Sequence, residues 1–533
     1  MKKLLIPLAI ILACIFVIMG CAKPAPTAPA TTPAKPATTA SPTAKPTPQY
    51  GGNLKIITPT SIGTLGTPAE GAGDYSRVAG PAFDIVFWRD KNFKHYPLLV
   101  QSWDIAPDGK TITLHLQKGV KFHDGTDCNA EALKYNLENA SVSFKTNLVR
   151  ISSYDVLDDT TLRLNLTMFD ANIFLALSAG AGGWVASPTA MKIKSTNETM
   201  AKDHMVGTGP FKFVSWQRDI NVKYTKFENY WQKGKPYLDT VEYVRIQEPT
   251  TAMMAFKAGD AQLLFQITPG DALDLQKAGY EIVLSDFHAS YYMMPDGANA
   301  DSPFANKSVR EALEYAIDRK AIADSIGKGY YEALTQFPST QSPMYVPGLK
   351  ARSFDPARAK QLLASGGYPN GFNTTLITSS GFNRDALVII QTYLKDIGIN
   401  ATLDIADSTR MTSISQNGWK NGIYLMYPPM NIDLSGLLRR FKTGADTPAS
   451  WTARSMLRPA GWQDKLDTAV TQVDDNKRLT QLQDIIKLMY DEVMAIPLWS
   501  TPDISAQIKG LHDLNWERGQ PYNFTFQDAW LSK

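Results

Sequence analysis

Apolar and polar residues alternate along residues 207–264, and this period of two predicts half-buried strands. The apolar positions of the alternation are Phe211, Phe213, Val222, Tyr224, Val241, Tyr243 and Ile246. A short helix is expected next, with Thr250 or Thr251 as its cap and Gly259 as its left-handed stop. Residues 260–265 are then predicted to form a further strand. The stretch therefore combines several strands with one helix.

The alternation typical of strands and the spacing typical of helices also occur in the rest of the chain. Strands are predicted at 53–58, at Ile112, Leu114 and Leu116 after an Asp108-Gly109 turn, at Leu162, Leu164 and Leu166, at 400–405 and at 422–427. Helices are predicted after the caps Asn129, Asn306 and Asp355, at 385–397 and at 477–489, and helical spacing persists from 302 to 326. Because helices and strands alternate after residue 290, that region is expected to be an α/β domain with a largely parallel sheet.

The first twenty residues have the pattern of a signal peptide. Lys2 and Lys3 precede an uncharged apolar run over residues 4–19, which is somewhat short for a membrane-spanning helix. No charged stop-transfer flank follows this run. An uncleaved anchor helix is the alternative interpretation. Both interpretations hold the body of the protein outside the cytoplasm.

Residues 22–48 contain little besides Ala, Pro, Thr and Lys. Such a segment has no apolar periodicity to bury, so it is expected to be a semi-extended linker that gives a tethered domain reach. The linker as a whole is assigned to residues 21–49, and folding is expected to begin near Tyr50. About 480 residues remain, which is too many for one ordinary hydrophobic core.

The charge and the cysteine count narrow the class of protein. The net charge is +3 over 533 residues, and no basic block or stripe is present, so a nucleic-acid partner is not expected. Cys14 lies in the signal segment and Cys21 at its end, which leaves Cys128 alone in the body. No internal disulfide is therefore expected there. The stability of the body must come from the size of its core.

The chemistry-bearing residues do not form a recognised catalytic or metal motif. The sequence has no G-x-S-x-G, H-E-x-x-H or phosphate-loop pattern, and its six histidines are scattered singly. His115 falls on the polar face of a strand and His123 in a turn, and neither has a carboxylate or thiol at a metal-binding spacing. The sequence therefore predicts neither an enzyme nor a metal or other cofactor.

Several phrases of the sequence resemble one protein family in their order and spacing. They are G-T-G-P-F at 207–211, N-Y-W-x-x-G-K-P-Y-L-D at 229–239, P-T-T followed by K-A-G-D within 249–260, the block 96–138, the helix phrase 308–322 and I-P-L-W at 496–499. Together they resemble the solute-binding proteins of the peptide/nickel (family 5) ABC transporters. That resemblance implies an extracytoplasmic receptor that closes around a solute and delivers it to a membrane permease.

The resemblance implies an α/β, periplasmic-binding-protein-like fold of type II, cluster C. In this fold three domains form two lobes around a ligand cleft. With residues 1–20 assigned to the signal peptide, the body divides into domain I at 50–88, 206–289 and 499–533, an inserted domain II at 89–205, and domain III at 290–498.

The end of the signal segment points to a lipid anchor. Ile18-Met19-Gly20-Cys21 resembles a lipobox, so Cys21 is expected to become the lipidated mature N-terminus. The expected partners are a small solute, ABC permease subunits with their cytoplasmic ATPases, and the membrane through the lipid. The receptor is expected to be a monomer. A sensory lipoprotein that kept the fold without transport is the alternative.

One departure from the family concerns the solute. Peptide-binding members place an acidic residue just after the strand predicted at 422–427, where it pairs with the α-ammonium of the ligand. This chain has Met430 there, while Asp433 resembles the outer Asp of the family's D-P pair. A buried ammonium without a counter-ion is costly. The sequence therefore favours a blocked peptide, an oligosaccharide or a metal chelate beside the peptides typical of the family.

The remaining site candidates are one arginine, one asparagine and several aromatic residues. Arg384 aligns with the carboxylate-binding arginine of some members, and a solvated surface arginine is the alternative. Flat apolar walls are expected in a ligand cleft. The aromatic candidates for such a wall are Trp499 in the I-P-L-W phrase, followed by Trp419 and Tyr427. Asn431, beside Met430, is the polar candidate. Trp451 and Trp462 are instead expected in the core. The loop 59–70 is either a ligand-contacting loop or a plain surface loop.

Overall fold

Two β-sheets contain most of the strands of the protein. The structure is a computed structural model, and it describes residues 47–70, 78–145, 147–178, 180–196, 199–426, 437, 441, 454–515 and 524–532. The strands are β1 Asn53–Thr58, β2 Phe87–Arg89, β3 His95–Pro97, β4 Val100–Ile105, β5 Thr111–Leu116, β6 Ile151–Asp158, β7 Thr161–Leu166, β8 Phe211–Gln217, β9 Asn221–Lys226, β10 Thr240–Arg245, β11 Leu263–Leu264, β12 Glu281–Pro295, β13 Glu332–Ala333, β14 Phe372–Ser379, β15 Ile399–Ala406, β16 Gly422–Met426, β17 Ile496–Gln507, β18 Leu511–His512 and β19 Trp530–Leu531.

Helices are interspersed with these strands. They are α1 Ala130–Glu138, α2 Val142–Lys145, α3 Asn172–Leu177, α4 Gly180–Gly183, α5 Pro188–Met191, α6 Met200–His204, α7 Pro249–Lys257, α8 Pro269–Lys277, α9 Lys307–Ala316, α10 Arg319–Gly327, α11 Pro356–Ser365, α12 Arg384–Asp396, α13 Ser408–Asn417, α14 Trp462–Thr471 and α15 Asp475–Asp491. Within the described ranges, no helix is both long enough and apolar enough to cross a bilayer.

The large sheet has the strand order β15-β14-β16-β12-β17-β11-β1-β10-β9-β8, with β13 paired to β17. β1 is parallel to β10 and β11, and β14 is parallel to β15 and β16. The small sheet, β4-β5-β7-β6, is antiparallel and is inserted in the sequence between β1 and β8. The predicted α/β class is therefore confirmed. The predicted domain boundaries themselves stay predictions.

The G-T-G phrase marks where the chain returns from the small sheet to the large one. A Cβ on Gly207 would lie 2.1 Å from the carbonyl oxygen of Ala82, and one on Gly209 would lie 2.5 Å from the nitrogen of Phe83. The backbone of 207–209 thus contacts the backbone of 82–83 with no room for a side chain. Glycine is required at both positions because two backbone segments meet there.

Most predicted local structure agrees with the observed elements. β1 has the predicted bounds, Asn129 accepts the backbone N–H of Ala132 as the cap of α1, and Gly109 adopts a φ of +67° in the predicted turn. Ile112, Leu114 and Leu116 are buried, as the alternation predicts. Trp462, predicted in the core, is 2% exposed.

The cap predicted for α7 was wrong. The side chain of Glu248 accepts the N–H groups of Thr250 at 3.0 Å and Thr251 at 2.6 Å, with Pro249 as the first helical residue. The pKa of Glu248 is lowered to about 2. The main cause is the hydrogen bond from the hydroxyl of Thr251, followed by those from these N–H groups. The longer glutamate side chain therefore reaches the free amides that the threonines were expected to satisfy.

Two predicted bounds also differ from the structure. The helical pattern over 302–326 is broken at Ile317, which is extended (ψ 117°), because Asp318 accepts the N–H of Ala321 and starts α10 as a new helix. The strand predicted at 260–265 is reduced to Leu263 and Leu264, the two residues that pair with both β1 and β17.

Candidate functional site

The two parallel parts of the large sheet point their carboxyl ends at the same place. β1 runs parallel to β11, β11 is antiparallel to β17, and β16 is antiparallel to β12. Following these registers, β1 ends at Thr58 and β16 ends at Met426 on opposite sides of the middle of β12 and β17. In open α/β sheets, ligands are bound at the carboxyl ends of the parallel strands. The loops that start here are therefore the candidate cleft.

The segment between these carboxyl ends, which we call the crossing segment, comprises residues 285–291 and 499–503 of β12 and β17. Register shifts occur between Leu284 and His288 and between Ser290 and Tyr292, so the ladder is irregular there. The hydroxyl of Ser285 accepts the backbone N–H of Asp503 at 2.9 Å. The remaining buried hydroxyl residues of the segment are Ser290, Ser500 and Thr501. A polar, irregular pair of strands joins the two halves of the sheet.

The loop that follows β1 is held on the near side of the crossing segment. The hydroxyl of Thr60 donates to Oε1 of Gln266 at 3.0 Å, which ties the loop to the end of β11. Asp219 accepts the hydroxyl of Ser61 at 2.8 Å and the N–H of Ile62 at 3.1 Å. The hydrogen bond from Ser61 lowers the pKa of Asp219, and Arg245 adds to this effect. The loop therefore has a defined conformation.

Glu70 fixes the far end of the same loop. Its Oε2 atom lies 2.8 Å from Nδ1 of His204 and accepts the N–H of Thr67 at 2.7 Å. Nε2 of His204 lies 2.9 Å from the carbonyl oxygen of Ile193. Because a carbonyl only accepts, the ring donates there. His204 is buried, and its contact with Glu70 joins the loop to the chain that returns from the small sheet.

Ser195, His204 and Glu70 have the spacing of a nucleophile, a base and an orienting acid. The hydroxyl of Ser195 lies 3.2 Å from Nε2 of His204. That hydroxyl donates instead to Asp203 at 2.7 Å, and the proton on Nε2 faces the carbonyl of Ile193. A ring nitrogen that carries a proton cannot act as a general base. The trio is therefore arranged to hold the loop.

Trp499, the first aromatic candidate, lies in the crossing segment and is covered. Its indole stacks on Tyr291 with ring centroids 4.8 Å apart and meets the edge of Phe382 at 5.8 Å. It is 1% exposed and belongs to the core beneath β14 and β16. The aromatic cluster fixes the position of Phe382 in the loop after β14. An open indole face is not seen at this residue.

Trp419 is likewise buried, between β16 and residue 455. Its backbone N–H donates to the hydroxyl of Ser455 at 2.7 Å, and its ring lies 5.3 Å from that of Tyr424. Nε1 of Trp419 has no hydrogen-bond partner among the described residues. A buried indole N–H usually has an acceptor. That donor is therefore open to an acceptor from outside the described ranges.

Arg384 is exposed at the first position of α12, directly after the loop that leaves the carboxyl end of β14. Asn383 caps the helix by accepting the N–H of Ala386 at 2.9 Å. The guanidinium is thus attached to a rigid helix start on the cleft side of the sheet. Its proposed contact with a solute carboxylate stays a prediction.

Several candidates lie outside the described residues. They are Tyr427, Met430, Asn431, Asp433, Trp451 and the lipidation candidate Cys21. Within the part of the chain that is described, no group of three His, Cys, Asp or Glu side chains could hold a metal ion. His115 instead pairs with Asp104 at 2.9 Å, and Nε2 of His123 donates to the carbonyl of Gly209 at 2.9 Å.

Sequence reasoning missed Glu70, Gln266 and His204 as the residues that hold the loop after β1. Glu70 and His204 are 134 positions apart in the sequence, and Gln266 is 206 positions from its partner Thr60. The only available signal was the Gly- and Thr-rich composition of the loop after a buried strand. That signal predicts the loop and leaves its contacts open.

Comparison with known proteins identifies one family. The model of the bacterial extracellular solute-binding proteins, family 5, matches residues 94–448. The glutathione-binding protein GsiB of Shigella flexneri is 33% identical over 364 residues, which cover 66% of this chain and 69% of GsiB. The resemblance found in the sequence phrases is therefore confirmed.

Solved structures show the same fold at lower identity. DppA of Helicobacter pylori, in complex with the peptide STSA, has a TM-score of 0.74 at 22% identity and covers 91% of this chain and 99% of its own. NikA of Brucella suis, in complex with Fe(III)-EDTA, has a TM-score of 0.78 at 18% identity and covers 90% and 100%. The predicted type II, two-lobed periplasmic-binding-protein fold is thereby confirmed.

Proposed function

The chain belongs to family 5 of the bacterial extracellular solute-binding proteins, and we propose that it is a lipid-anchored receptor which captures a peptide-like or other small organic solute between two lobes and delivers it to an ABC permease. The family is one of binding proteins that serve ABC transporters. The observation that supports capture most directly is the meeting of the carboxyl ends of β1 and β16 at the crossing segment. Two lobes joined by two strands can close on a ligand from both sides.

The proposed anchor and location follow from the amino-terminal pattern. Cys21 is the proposed lipid site, residues 21–49 the proposed linker, and the membrane surface the proposed location. A flexible linker of this kind lets a tethered receptor sample free solute and still reach a permease. Delivery to permease subunits with cytoplasmic ATPases, by a monomeric receptor, is part of the same proposal.

The proposed solute is a small peptide or a peptide-like molecule whose amino group is blocked or neutral. Met430 supports this choice, because its side chain offers no carboxylate to a desolvated α-ammonium at that position. Arg384, at the start of α12, would bind the carboxylate end. Glutathione, which has a free α-ammonium, is included as a contrasting test solute because GsiB is named as a glutathione-binding protein.

Mass spectrometry of ligand carried through native purification tests the capture role directly. The full mature chain should release a solute on denaturation, and the recovered solute should lower the radius of gyration in small-angle scattering when added back. A scattering profile that is unchanged at proven saturation would contradict closure. Recovery of no solute, with no binding of glutathione, acetylated peptides or free peptides in calorimetry, would contradict capture.

A further inference from the structure

The ring of His204 lies between hydrogen-bond acceptors on both of its sides. On one side, Oε2 of Glu70 lies 2.8 Å from Nδ1. On the other, Nε2 lies 2.9 Å from the carbonyl oxygen of Ile193 and 3.2 Å from the hydroxyl of Ser195. That hydroxyl donates its own proton to Asp203, so both groups at Nε2 accept a hydrogen bond there. Nε2 of His204 therefore carries a proton.

The contact between Glu70 and His204 needs a second proton. A neutral imidazole with its proton on Nε2 has a lone pair at Nδ1, and an ionised carboxylate has only lone pairs. Two acceptors repel each other at 2.8 Å, so a hydrogen bond at this distance requires a proton on one of the two atoms. The contact is thus an imidazolium with a carboxylate, or an imidazole with a carboxylic acid. Both forms are lost when that proton leaves.

The surroundings of this contact leave its proton as the one that can change. The side chain of His204 is 4% exposed and that of Glu70 is 31% exposed, so the contact is partly shielded from water. Two further charged groups described beside it are Asp203 and Lys202 of α6. The hydrogen bond from Ser195 is the main cause that lowers the pKa of Asp203, and the charges of His204 and Lys202 act in the same direction. Asp203 therefore stays a carboxylate while the contact gains or loses its proton.

The same carboxylate holds the backbone of the loop after β1. Oε2 of Glu70 accepts the N–H of Thr67 at 2.7 Å. A Cβ on Gly66 would lie only 2.7 Å from this oxygen, so the chain runs directly against it. Leu65, the preceding residue, is 1% exposed and packs in the core of the large sheet. The segment whose position depends on Glu70 is therefore 66–70, the far end of the loop.

The near end of the loop is held without such a proton. Asp219 accepts the N–H of Ile62 at 3.1 Å and the hydroxyl of Ser61 at 2.8 Å. Both partners are donors throughout the neutral pH range, and the hydrogen bond from Ser61 lowers the pKa of Asp219. A carboxylate thus holds each end of one loop, and the two ends differ in their need for a shared proton.

We propose that Glu70 and His204 are positioning residues of the candidate cleft, which hold residues 66–70 while they share a proton and release them when that proton leaves. As the pH rises, deprotonation leaves two lone pairs facing each other, so the carboxylate turns away and Thr67 loses its acceptor. The far end of the loop then loosens while the near end stays in place. That this loosening weakens solute binding rests on the proposed function, whereas the movement of the loop does not.

Hydrogen exchange of the full mature chain, without added solute, tests the proposal at two backbone amides of the same loop. Exchange of Thr67 and Ile62 is followed at single-residue resolution by fragmentation mass spectrometry from about pH 5 to about pH 8, and is corrected for the intrinsic chemical rate. Protection of Thr67 should fall at least about fivefold relative to that of Ile62 as the pH rises, since the loss of one hydrogen bond to a carboxylate is worth at least about this factor.

Two variants remove the shared proton, and one neighbouring variant keeps it. Glu70→Gln and His204→Gln should each abolish the pH dependence at Thr67, because a side-chain amide neither gains nor loses a proton in this range. Asp203→Asn is the matched control: it changes a carboxylate that accepts from Ser195, so the dependence should remain. Urea unfolding checks that each variant is folded, and Glu70→Gln gives an independent result if His204→Gln is not.

Protection of Thr67 that follows that of Ile62 at every pH in the wild type overturns the proposal. A pH dependence that persists in folded Glu70→Gln overturns it as well. Calorimetry with glutathione and with an N-acetylated peptide tests the link to the solute: a probe that binds should bind at least about twofold more weakly at the higher pH in the wild type, and equally at both in Glu70→Gln. Equal affinity at both pH values in a wild type that releases Thr67 would overturn that link. Failure of both probes to bind would contradict the proposed function, whereas the exchange result decides on the two positioning residues by itself.

Discussion

The indole nitrogen of Trp231 donates a hydrogen bond to Oδ2 of Asp84 at 2.8 Å, across 147 positions of sequence. The hydroxyl of Tyr230 donates to the other oxygen of the same carboxylate at 3.1 Å. Asp84 is 1% exposed and lies just before the chain enters the small sheet. The N-Y-W phrase therefore binds the loop after β9 of the large sheet to the entrance of the inserted segment.

Asp84 is expected to make stability depend on pH. Burial raises the pKa of Asp84 to about 6. Its hydrogen bonds, of which the one from Trp231 has the largest effect, lower the pKa and offset part of this rise. Because the folded state then binds the Asp84 proton more tightly than the unfolded chain, the contribution of Asp84 to the free energy of unfolding falls as the pH rises from about 4 to about 6. The effect of this one group is up to about 3 kcal/mol. Asp84→Asn should remove this contribution, so the free energy of unfolding of the wild type should fall relative to that of the variant as the pH rises from 4 to 7 in urea unfolding.

His123 provides the matched control, because its effect has the opposite sign. Burial lowers its pKa to about 4, so its contribution to stability is complete above about pH 6.5 and is lost as the pH falls toward 4. The two contributions oppose each other over the same pH range. His123→Gln should therefore leave a free energy of unfolding that falls with rising pH, while Asp84→Asn should leave one that rises. Equal slopes in the two variants would contradict the assignment of both pKa shifts.

Gly209→Ala is expected to destabilise the protein severely. The added Cβ would lie 2.5 Å from the backbone of Ala82 and Phe83, so one of two packed backbone segments must move. Gly270→Ala is the control, since its Cβ would meet nothing closer than 3.7 Å. That change places a better helix former in the first turn of α8 and should stabilise by up to about 1 kcal/mol. Thermal unfolding of both variants compares the two effects, and similar midpoints would contradict the close contact.

Cys21→Ser is expected to abolish lipidation. The wild-type protein should partition into the detergent phase of a Triton X-114 extraction, and the variant should accumulate as an uncleaved precursor. Intact-mass spectrometry distinguishes the two forms. A wild-type chain that is mature, soluble and cut elsewhere within residues 22–48 would contradict the anchor.

Met430→Asp is expected to improve binding of free peptides more than binding of N-acetylated ones. The new carboxylate would pair with the α-ammonium, whose desolvation otherwise opposes binding. Titration calorimetry of one peptide, free and acetylated, on both proteins measures the difference. Asp433→Asn is the control: tight wild-type binding of the free peptide that is lost in this variant would show that Asp433 supplies the acid.

Local structure followed from the sequence wherever the deciding contacts were local. β1, the Asp108-Gly109 turn and the caps at Asn129 and Asn306 each depend on residues within a few positions of one another. The cap predicted for α7 was wrong because the threonine hydroxyls and the Glu248 carboxylate compete for the same backbone N–H groups. Glu248 satisfies them from one position before Pro249. Such competition is settled by side-chain length and backbone direction, which the pattern of residue types does not contain.

The sequence by itself determined the α/β class and most helices and strands, because residue periodicity and neighbouring caps carry that information. Its family followed from the resemblance of its phrases to those of the solute-binding proteins. Only the tertiary structure decided that β12 and β17 cross between the two halves of the sheet, that Glu70 reaches His204, and that Trp499 is covered by Tyr291 and Phe382. These contacts join residues whose separation in sequence says nothing of their distance in space. They depend on the direction of each strand within the sheet, which long-range pairing sets as the chain folds.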